Sequence, residues 1–337
     1  MSHYRSFVRL CELPAGYWPL CSQQLRQKGN PGMKIGFIGL GLMGTGMALN
    51  LRKAGYELVA FDLRKDSTQA LVAAGAAAAD SIAELGRNCD VVFSSLPAPK
   101  EMREVGEELL QAMRPGTAWF DLTTNSPTVV REVAARFQEA GIAVLDAPVS
   151  GGPGGARSGK LALYVGGDRA VFEQHRKLLD AIGDKVMYVG AIGAGTTAKL
   201  VHNLLGNVMR MAIAECISLG VKAGLDPVEL WHAVRMGAVG RARTLDLVAE
   251  QYLQSRYDPP SFALRLAHKD FTLAMDLARE FEVPMPQAEI AYEDFTAAME
   301  RGWGNLDSRS PMQLQNERAQ VTIQAPEPQV KEMLSRD

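Results

Sequence analysis

Two glycine-rich stretches of this chain have the composition to hold a ligand through the backbone. The first is Gly39-Leu40-Gly41-Leu42-Met43-Gly44, a GxGxxG run. A continuous apolar segment, KIGFIG (34–39), precedes it, and a helix-patterned segment, LMGTGMALNLRKAG (42–55), follows. In that context Gly39 permits a tight turn, Gly41 lets a pyrophosphate approach the main chain, and Gly44 lets helix and strand pack closely. The helix N-terminus adds unpaired N–H groups and a partial positive charge for the phosphates. Asp62 ends the next strand, 23 residues after Gly39, where a carboxylate accepts hydrogen bonds from adenosine ribose hydroxyls. Its charge repels a 2′-phosphate and so favours NAD, while Arg64, two positions on, could pair with such a phosphate and keeps NADP open. Leu42 and Met43 inside the loop, and Leu96-Pro97 where the strand DVVFSSL (90–96) ends, join the expected cofactor contacts.

The second stretch is DAPVSGGPGG (146–155). The sequence offers no helix directly after these glycines; LALYVGG (161–167) follows and reads as a strand. A backbone cradle is therefore expected here rather than a second nucleotide loop.

The elements that must position both loops follow a simple grammar. KIGFIG, ELVAFD (57–62), DVVFSSL, TAWFDL (117–122) and IAVLDA (142–147) are strand-length apolar runs separated by helical segments. Runs apolar on both faces fit buried parallel strands, and helical connections imply right-handed crossovers. The fold expected is an α/β Rossmann-type doubly wound sheet, with LALYVGG and KVMYVG (185–190) as added edge strands. After Gly195 the pattern becomes wholly helical, beginning with TTAKLVHNLLGNVMRMAIAECISLGVKAG (196–224) as one long interdomain helix. The domains expected are a Rossmann domain over 33–194 and an all-helical substrate and oligomerisation domain over 195–320. Residues 1–32 are expected to be an extension outside the fold, and 321–337 a mobile tail.

Composition narrows the classes. A formal net charge of −2 gives no electrostatic footprint for nucleic acid or an anionic membrane. No apolar run approaches the roughly 20 residues of a membrane helix. Cys11, Cys21, Cys89 and Cys216 show no metal or redox spacing, so no metal is expected and a reducing, cytoplasmic setting is.

Taken together, GFIGLGLMGTGMALNLRKAG, DAPVSGGPGGARSGKLALYVGG and GAGTTAKLVHN resemble the β-hydroxyacid dehydrogenase family, whose members include 3-hydroxyisobutyrate dehydrogenase and tartronate semialdehyde reductase. The similarity runs from about Met33 to about residue 320. It implies that Lys199, the lysine of the G-x-G-x-x-x-K-x-x-x-N motif, is catalytic and that Asn203 assists it. It implies that Ser150, Gly151 and Gly152 hold the substrate, that Thr123 and Thr124 of Asp121-Leu-Thr-Thr lie beside the nicotinamide, and that Lys269 of Lys269-Asp270 reaches the cofactor side. Family members often carry two adjacent asparagines where this chain has His202-Asn203, a departure that touches the surroundings of Asn203. The family's helical domains commonly pack together, so a homodimer or homotetramer is expected.

The chemistry fits these positions. Lys199 and Asn203, spaced i, i+4, share one helix face. A partly desolvated lysine has a lowered pKa and can take the hydroxyl proton as hydride leaves carbon, or return it during reduction. Ser150 with the N–H groups of Gly151 and Gly152 could hold a carboxylate. The activity expected is NAD(P)-dependent interconversion of a short 3-hydroxy acid and its semialdehyde or 3-oxo acid, with a small carboxylate as substrate. Two alternatives are an imine reductase-like activity, against which the lysine argues, and a non-catalytic dinucleotide sensor. Arg235, Arg241 and Arg243 could line the side-chain end of the substrate pocket or form only a solvated turn.

Overall fold

The computed structural model describes residues 32–335, apart from Asp226, Ala242, Arg243, Phe281 and Val321. The expected N-terminal extension, save Gly32, and Arg243 thus lie outside the described residues. The chain forms two compact units that meet in sequence between Asn203 and Leu204.

The first unit alternates strands and helices in the order β1 (Lys34–Ile38), α1 (Leu42–Lys53), β2 (Glu57–Phe61), α2 (Gln69–Ala73), β3 (Ala77–Ala78), α3 (Ile82–Asn88), β4 (Val91–Ser94), α4 (Pro99–Ala112), β5 (Ala118–Asp121), α5 (Pro127–Glu139) and β6 (Ala143–Asp146). Then come β7 (Val149–Ser150), α6 (Gly152–Ser158), β8 (Leu161–Gly166), α7 (Arg169–Asp180), β9 (Gly183–Gly190) and the start of α8 (Ala194–Lys222). The sheet order is β3-β2-β1-β4-β5-β6-β8-β7, with β9 paired to β8. Strands β1 to β6 run parallel; β8 is antiparallel to β6 and β7, and β9 is parallel to β8. The expected doubly wound sheet is present, and the order reverses between β1 and β4, which opens a crevice at their carboxyl ends.

Burial explains why these strands read as unbroken apolar runs. Every residue of β4 and β5 is buried. Successive side chains point to opposite faces, so Phe93 and Phe120 join one core while Val92 and Trp119 join the other. Phe37, Phe93 and Phe120 stack across three adjacent strands, with centroids 6.1 and 5.3 Å apart.

The second unit contains the rest of α8 and α9 (Pro227–Met236), α10 (Ala238–Arg241), α11 (Thr244–Gln254), α12 (Leu264–Glu280), α13 (Pro286–Glu300), α14 (Met312–Arg318) and α15 (Glu327–Leu334). Leu219, Met275 and Met285 form one core cluster there, and Leu264, Ala298 and Leu314 another. The segment expected to be a mobile tail is instead packed. Val330 of α15 is buried, Ala325 N donates to Leu253 O at 2.6 Å, and Arg256 pairs with Glu327 at 3.4 Å. Among the described residues no helix is long and apolar enough to cross a membrane.

Candidate active site

The first glycine loop leaves β1 and enters α1 as its residue types require. Gly39 has φ +87°, in the left-handed region, and a Cβ there would stand 2.3 Å from Ser95 O. At Gly44 a Cβ would meet Gly39 O at 1.9 Å, so only glycine lets the helix approach its own entry turn. Gly41 is different, with nothing within 4 Å of where its Cβ would be. Its missing side chain leaves open space above the loop. The first turn of α1 has no side-chain cap and no acidic residue, so its N–H groups remain available to an anion.

Asp62 ends this surface and also holds it together. Its Oδ2 accepts from Leu40 N at 2.7 Å and its Oδ1 from Arg64 N at 2.8 Å. The Arg64 side chain is mostly exposed, with its Nε 3.9 Å from Asp62 Oδ1. A cavity of about 670 Å³ extends from the glycine loop, and Gly39, Gly41, Leu42, Met43, Asp62, Arg64, Leu96 and Pro97 all line it. Glu101, Glu104 and Glu108 of α4 line it too. Glu101 Oε2 is buried without a hydrogen-bond partner among the described residues, an acceptor lacking a donor. An open cradle over an uncapped helix start, ringed by acceptors, fits a dinucleotide that brings its own phosphates, hydroxyls and amines.

The Asp121 loop is braced from within. Asp121 is fully buried, and its Oδ1 accepts from Ser94 Oγ at 2.7 Å and Thr123 Oγ1 at 2.6 Å. Its Oδ2 accepts from Asn125 Nδ2 at 3.1 Å, and Trp119 Nε1 donates to Ser94 Oγ at 2.9 Å. Burial pushes the Asp121 carboxyl above the usual carboxylate range, against the lowering pull of the Thr123, Ser94 and Asn125 bonds. Thr123 also accepts from Leu96 N at 3.0 Å. Its hydroxyl is therefore turned inward, tying the Leu96-Pro97 segment to the end of β5, while Thr124 is exposed.

The second glycine loop corrects one expectation. A helix does open directly after its first glycines: α6 begins at Gly152, with Gly151 before it at φ +129°. This short helix is held against α1, where Asn50 Nδ2 donates to Ala156 O at 2.7 Å and a Cβ on Gly46 would meet Ala156 C at 2.9 Å. Gly151 and Gly152 are exposed, and Ser150 is paired in register with Ala162 of β8.

Lys199 lies in the first turns of α8, and its side chain is only 7% exposed. No ion pair or side-chain hydrogen bond engages it among the described residues. Burial alone pushes its ammonium pKa below the usual lysine value. His202 and Asn203 follow at i+3 and i+4 on the same face. His202 Nε2 is 3.4 Å from Ser150 Oγ, its Nδ1 is 3.3 Å from Asn203 Oδ1, and its ring centroid is 5.8 Å from that of Tyr164. Burial raises the Tyr164 pKa against a lowering pull from Ser150. The first unit thus brings Ser150, Tyr164, His202 and Asn203 into one polar cluster on the helix face that carries Lys199. Among the described residues no group of three or more His, Cys, Asp or Glu could hold a metal ion.

Comparison with known proteins agrees with this geometry. Residues 34–190 match the family described as the NAD binding domain of 6-phosphogluconate dehydrogenase. Residues 193–314 match the NAD-binding domain of NADP-dependent 3-hydroxyisobutyrate dehydrogenase. The chain is similar to 2-(hydroxymethyl)glutarate dehydrogenase of Eubacterium barkeri, at 35% identity over 86% of this chain and 97% of the relative. The chain belongs to the β-hydroxyacid dehydrogenase family. It is 37% identical to an NAD-dependent L-serine dehydrogenase of Pseudomonas aeruginosa, over 81% of this chain and 95% of that one. A solved Mycobacterium tuberculosis 3-hydroxyisobutyrate dehydrogenase with L-serine aligns at TM-score 0.60 and 32% identity, covering 84% of this chain and 99% of the other. As a member of this family the protein is an oxidoreductase that uses NAD(P).

Lys269 lies in α12, and its side chain is outside the described residues, as is that of Arg241. Arg235 is exposed on α9. Sequence reasoning missed Glu101, Tyr164 and the Ser94–Trp119–Asn125 set around Asp121. Only Asn125, four residues beyond Asp121, left a trace in the spacing.

Proposed function

We propose that the protein interconverts a short 3-hydroxy acid and its semialdehyde or 3-oxo acid, with Lys199 as general acid–base. The observation that carries this reading is a buried lysine, without an ion pair among the described residues, on one helix face with His202 and Asn203, of which His202 lies 3.4 Å from Ser150. Bound nicotinamide supplies the hydride acceptor or donor; the rest falls to the chain. In oxidation the neutral Lys199 amine takes the hydroxyl proton, and in reduction its ammonium protonates the developing alkoxide. Ser150 and the Gly151-Gly152 main chain anchor the substrate carboxylate, and Asn203 orients the hydroxyl or the lysine. Lys269 contributes on the cofactor side, as does the Thr123-Thr124 segment through the loop it braces.

Absorbance of the reduced cofactor tests this against a panel of 3-hydroxyisobutyrate, glycerate, serine, threonate and sulfonated analogues. Turnover of 3-hydroxy acids is expected. Binding of NADH without any turnover would favour a sensor, and a strong preference for 2-hydroxy acids would overturn the substrate class.

NAD is the preferred cofactor. Asp62, Glu101, Glu104 and Glu108 surround the cavity with carboxylates, and Arg64 faces Asp62, an arrangement hostile to a 2′-phosphate. Asp62→Ser is expected to lower the NAD-over-NADP ratio of kcat/KM about tenfold or more, since a hydrogen bond to a charged group contributes about 1.5–3 kcal/mol. An unchanged ratio would remove Asp62 from the ribose site. Apolar Trp231, Val234, Met236 and Val239, exposed on α9 and α10, support a homodimer or homotetramer. The free thiols Cys89 and Cys216 suit a cytoplasmic setting. The proposed division is a cofactor domain over 33–194, a helical domain over 195–320 and a terminal segment beyond.

A further inference from the structure

The carboxylate of Asp146 is used in a way that the proposed chemistry does not explain. Asp146 closes β6 and is buried, at 1% exposure. Its Oδ1 accepts from Gly193 N at 2.8 Å and its Oδ2 from Thr196 N at 2.6 Å. Gly193 immediately precedes α8, and Thr196 is the third residue of that helix. These are two of the N–H groups that a helix start leaves without intrahelical partners. Local capping boxes satisfy such a pair with two neighbouring side chains. Here one carboxylate, 47 and 50 residues away in sequence, satisfies both.

The surroundings are built to let it do so. A Cβ on Gly166 would stand 2.5 Å from Asp146 Oδ1, and one on Gly195 would meet Asp146 O at 2.6 Å and Tyr164 O at 2.2 Å. Strand end, clamp and helix start are therefore in direct main-chain contact. Two functional segments diverge from this point. Ser150 is four residues along the chain from Asp146, and Lys199 is three residues beyond Thr196, about one helical turn.

We propose that Asp146 is a positioning residue that sets the register of Lys199 against the Ser150 loop by clamping the N-terminus of α8. It does not touch the reacting atoms. The inference rests on the reading of Lys199 as general acid–base. Asparagine at this position keeps the shape but offers one acceptor and turns an NH2 donor towards a backbone N–H. The helix start must then shift or rotate, and misplacement of a catalytic group by about 1 Å costs on the order of 10²-fold in rate. The hydrogen bonds that hold the cofactor loop run through Asp62 to Leu40 N and Arg64 N, not through Asp146.

The test is Asp146→Asn, with Asp146→Ser as a smaller second variant that adds no bulk. Expected are NADH dissociation constants within about twofold of wild type, together with kcat about 10²-fold lower. The primary deuterium isotope effect on kcat, with substrate labelled at the hydride-donating carbon, is expected to rise as the chemical step becomes slower. Wild-type kcat in either folded variant overturns the proposal. So does a parallel fall of kcat and NADH affinity, or failure of both variants to fold, since either assigns Asp146 to the domain rather than to Lys199. Lys199→Met separates the two claims. If it retains turnover, the acid–base reading fails; if it is inactive while Asp146→Asn is normal, the positioning role alone fails.

Discussion

Lys199→Met is expected to lower turnover about 10³-fold in both directions while leaving NADH binding intact. Methionine fills a similar volume with no titratable group, so the substitution removes proton transfer and little else. The side chain is buried and makes no ion pair among the described residues, so among them no partner is stranded. Stability is expected to move the other way from activity. Burial lowers the pKa of this ammonium in the folded chain. Between that lowered value and the ordinary unfolded one, the unfolded chain holds more protons, so stability rises with pH across that window. Below the window the cost of burying the charge is present in full. At neutral pH the methionine variant is therefore expected to melt no lower than wild type. Calorimetry with steady-state kinetics checks both parts; a destabilised variant with near-normal turnover would reverse the assignment.

Gly195→Ala is expected to be the most damaging single-methyl change in the first unit's helix start. The added Cβ would meet three backbone atoms: Tyr164 O at 2.2 Å, Asp146 O at 2.6 Å and Gly166 N at 3.0 Å. None is the end of a flexible side chain, so β8, β6 or α8 must move. Overpacking of this kind costs about 3 kcal/mol. For a unit of this size that lowers Tm by roughly 6–12 °C, and the displaced helix start carries Lys199 with it. Gly154→Ala is the control, because nothing lies within 4 Å of its Cβ position in α6. Equal melting temperatures for the two variants would show that the G-x-G of the lysine motif is not needed for close packing.

These glycines show what could be read before the structure was known. The cofactor loop was legible because its chemistry is local: strand, three glycines, helix and Asp62 lie within one β-α-β stretch. The parallel strands were legible because burial on both faces forbids polar alternation. Lys199 and Asn203 share a face through simple helical spacing. The α6 helix was not legible. Gly-Pro-Gly-Gly is poor helix sequence, and packing against Gly46 and Asn50 of α1 overrides that propensity. Strands β3 and β7 are two residues each, too short for any periodicity to register. The C-terminal segment reads as polar and proline-containing, and α15 is held through Val330 and a few polar contacts. The Asp146 clamp and the inward bond of Thr123 were not legible because their partners are distant in sequence: Gly193 and Thr196 for the first, Leu96 for the second.

Whether Lys199 moves the proton is decided by the pH dependence of the hydride-transfer rate in wild type and in Lys199→Met. In wild type, alcohol oxidation should rise with pH through a single ionisation below the ordinary lysine value, as the amine becomes free to accept a proton. Carbonyl reduction should fall through the same ionisation. The variant should show a low rate in both directions with that ionisation missing. The same ionisation persisting in Lys199→Met would contradict the account, because some other group would then be carrying the proton.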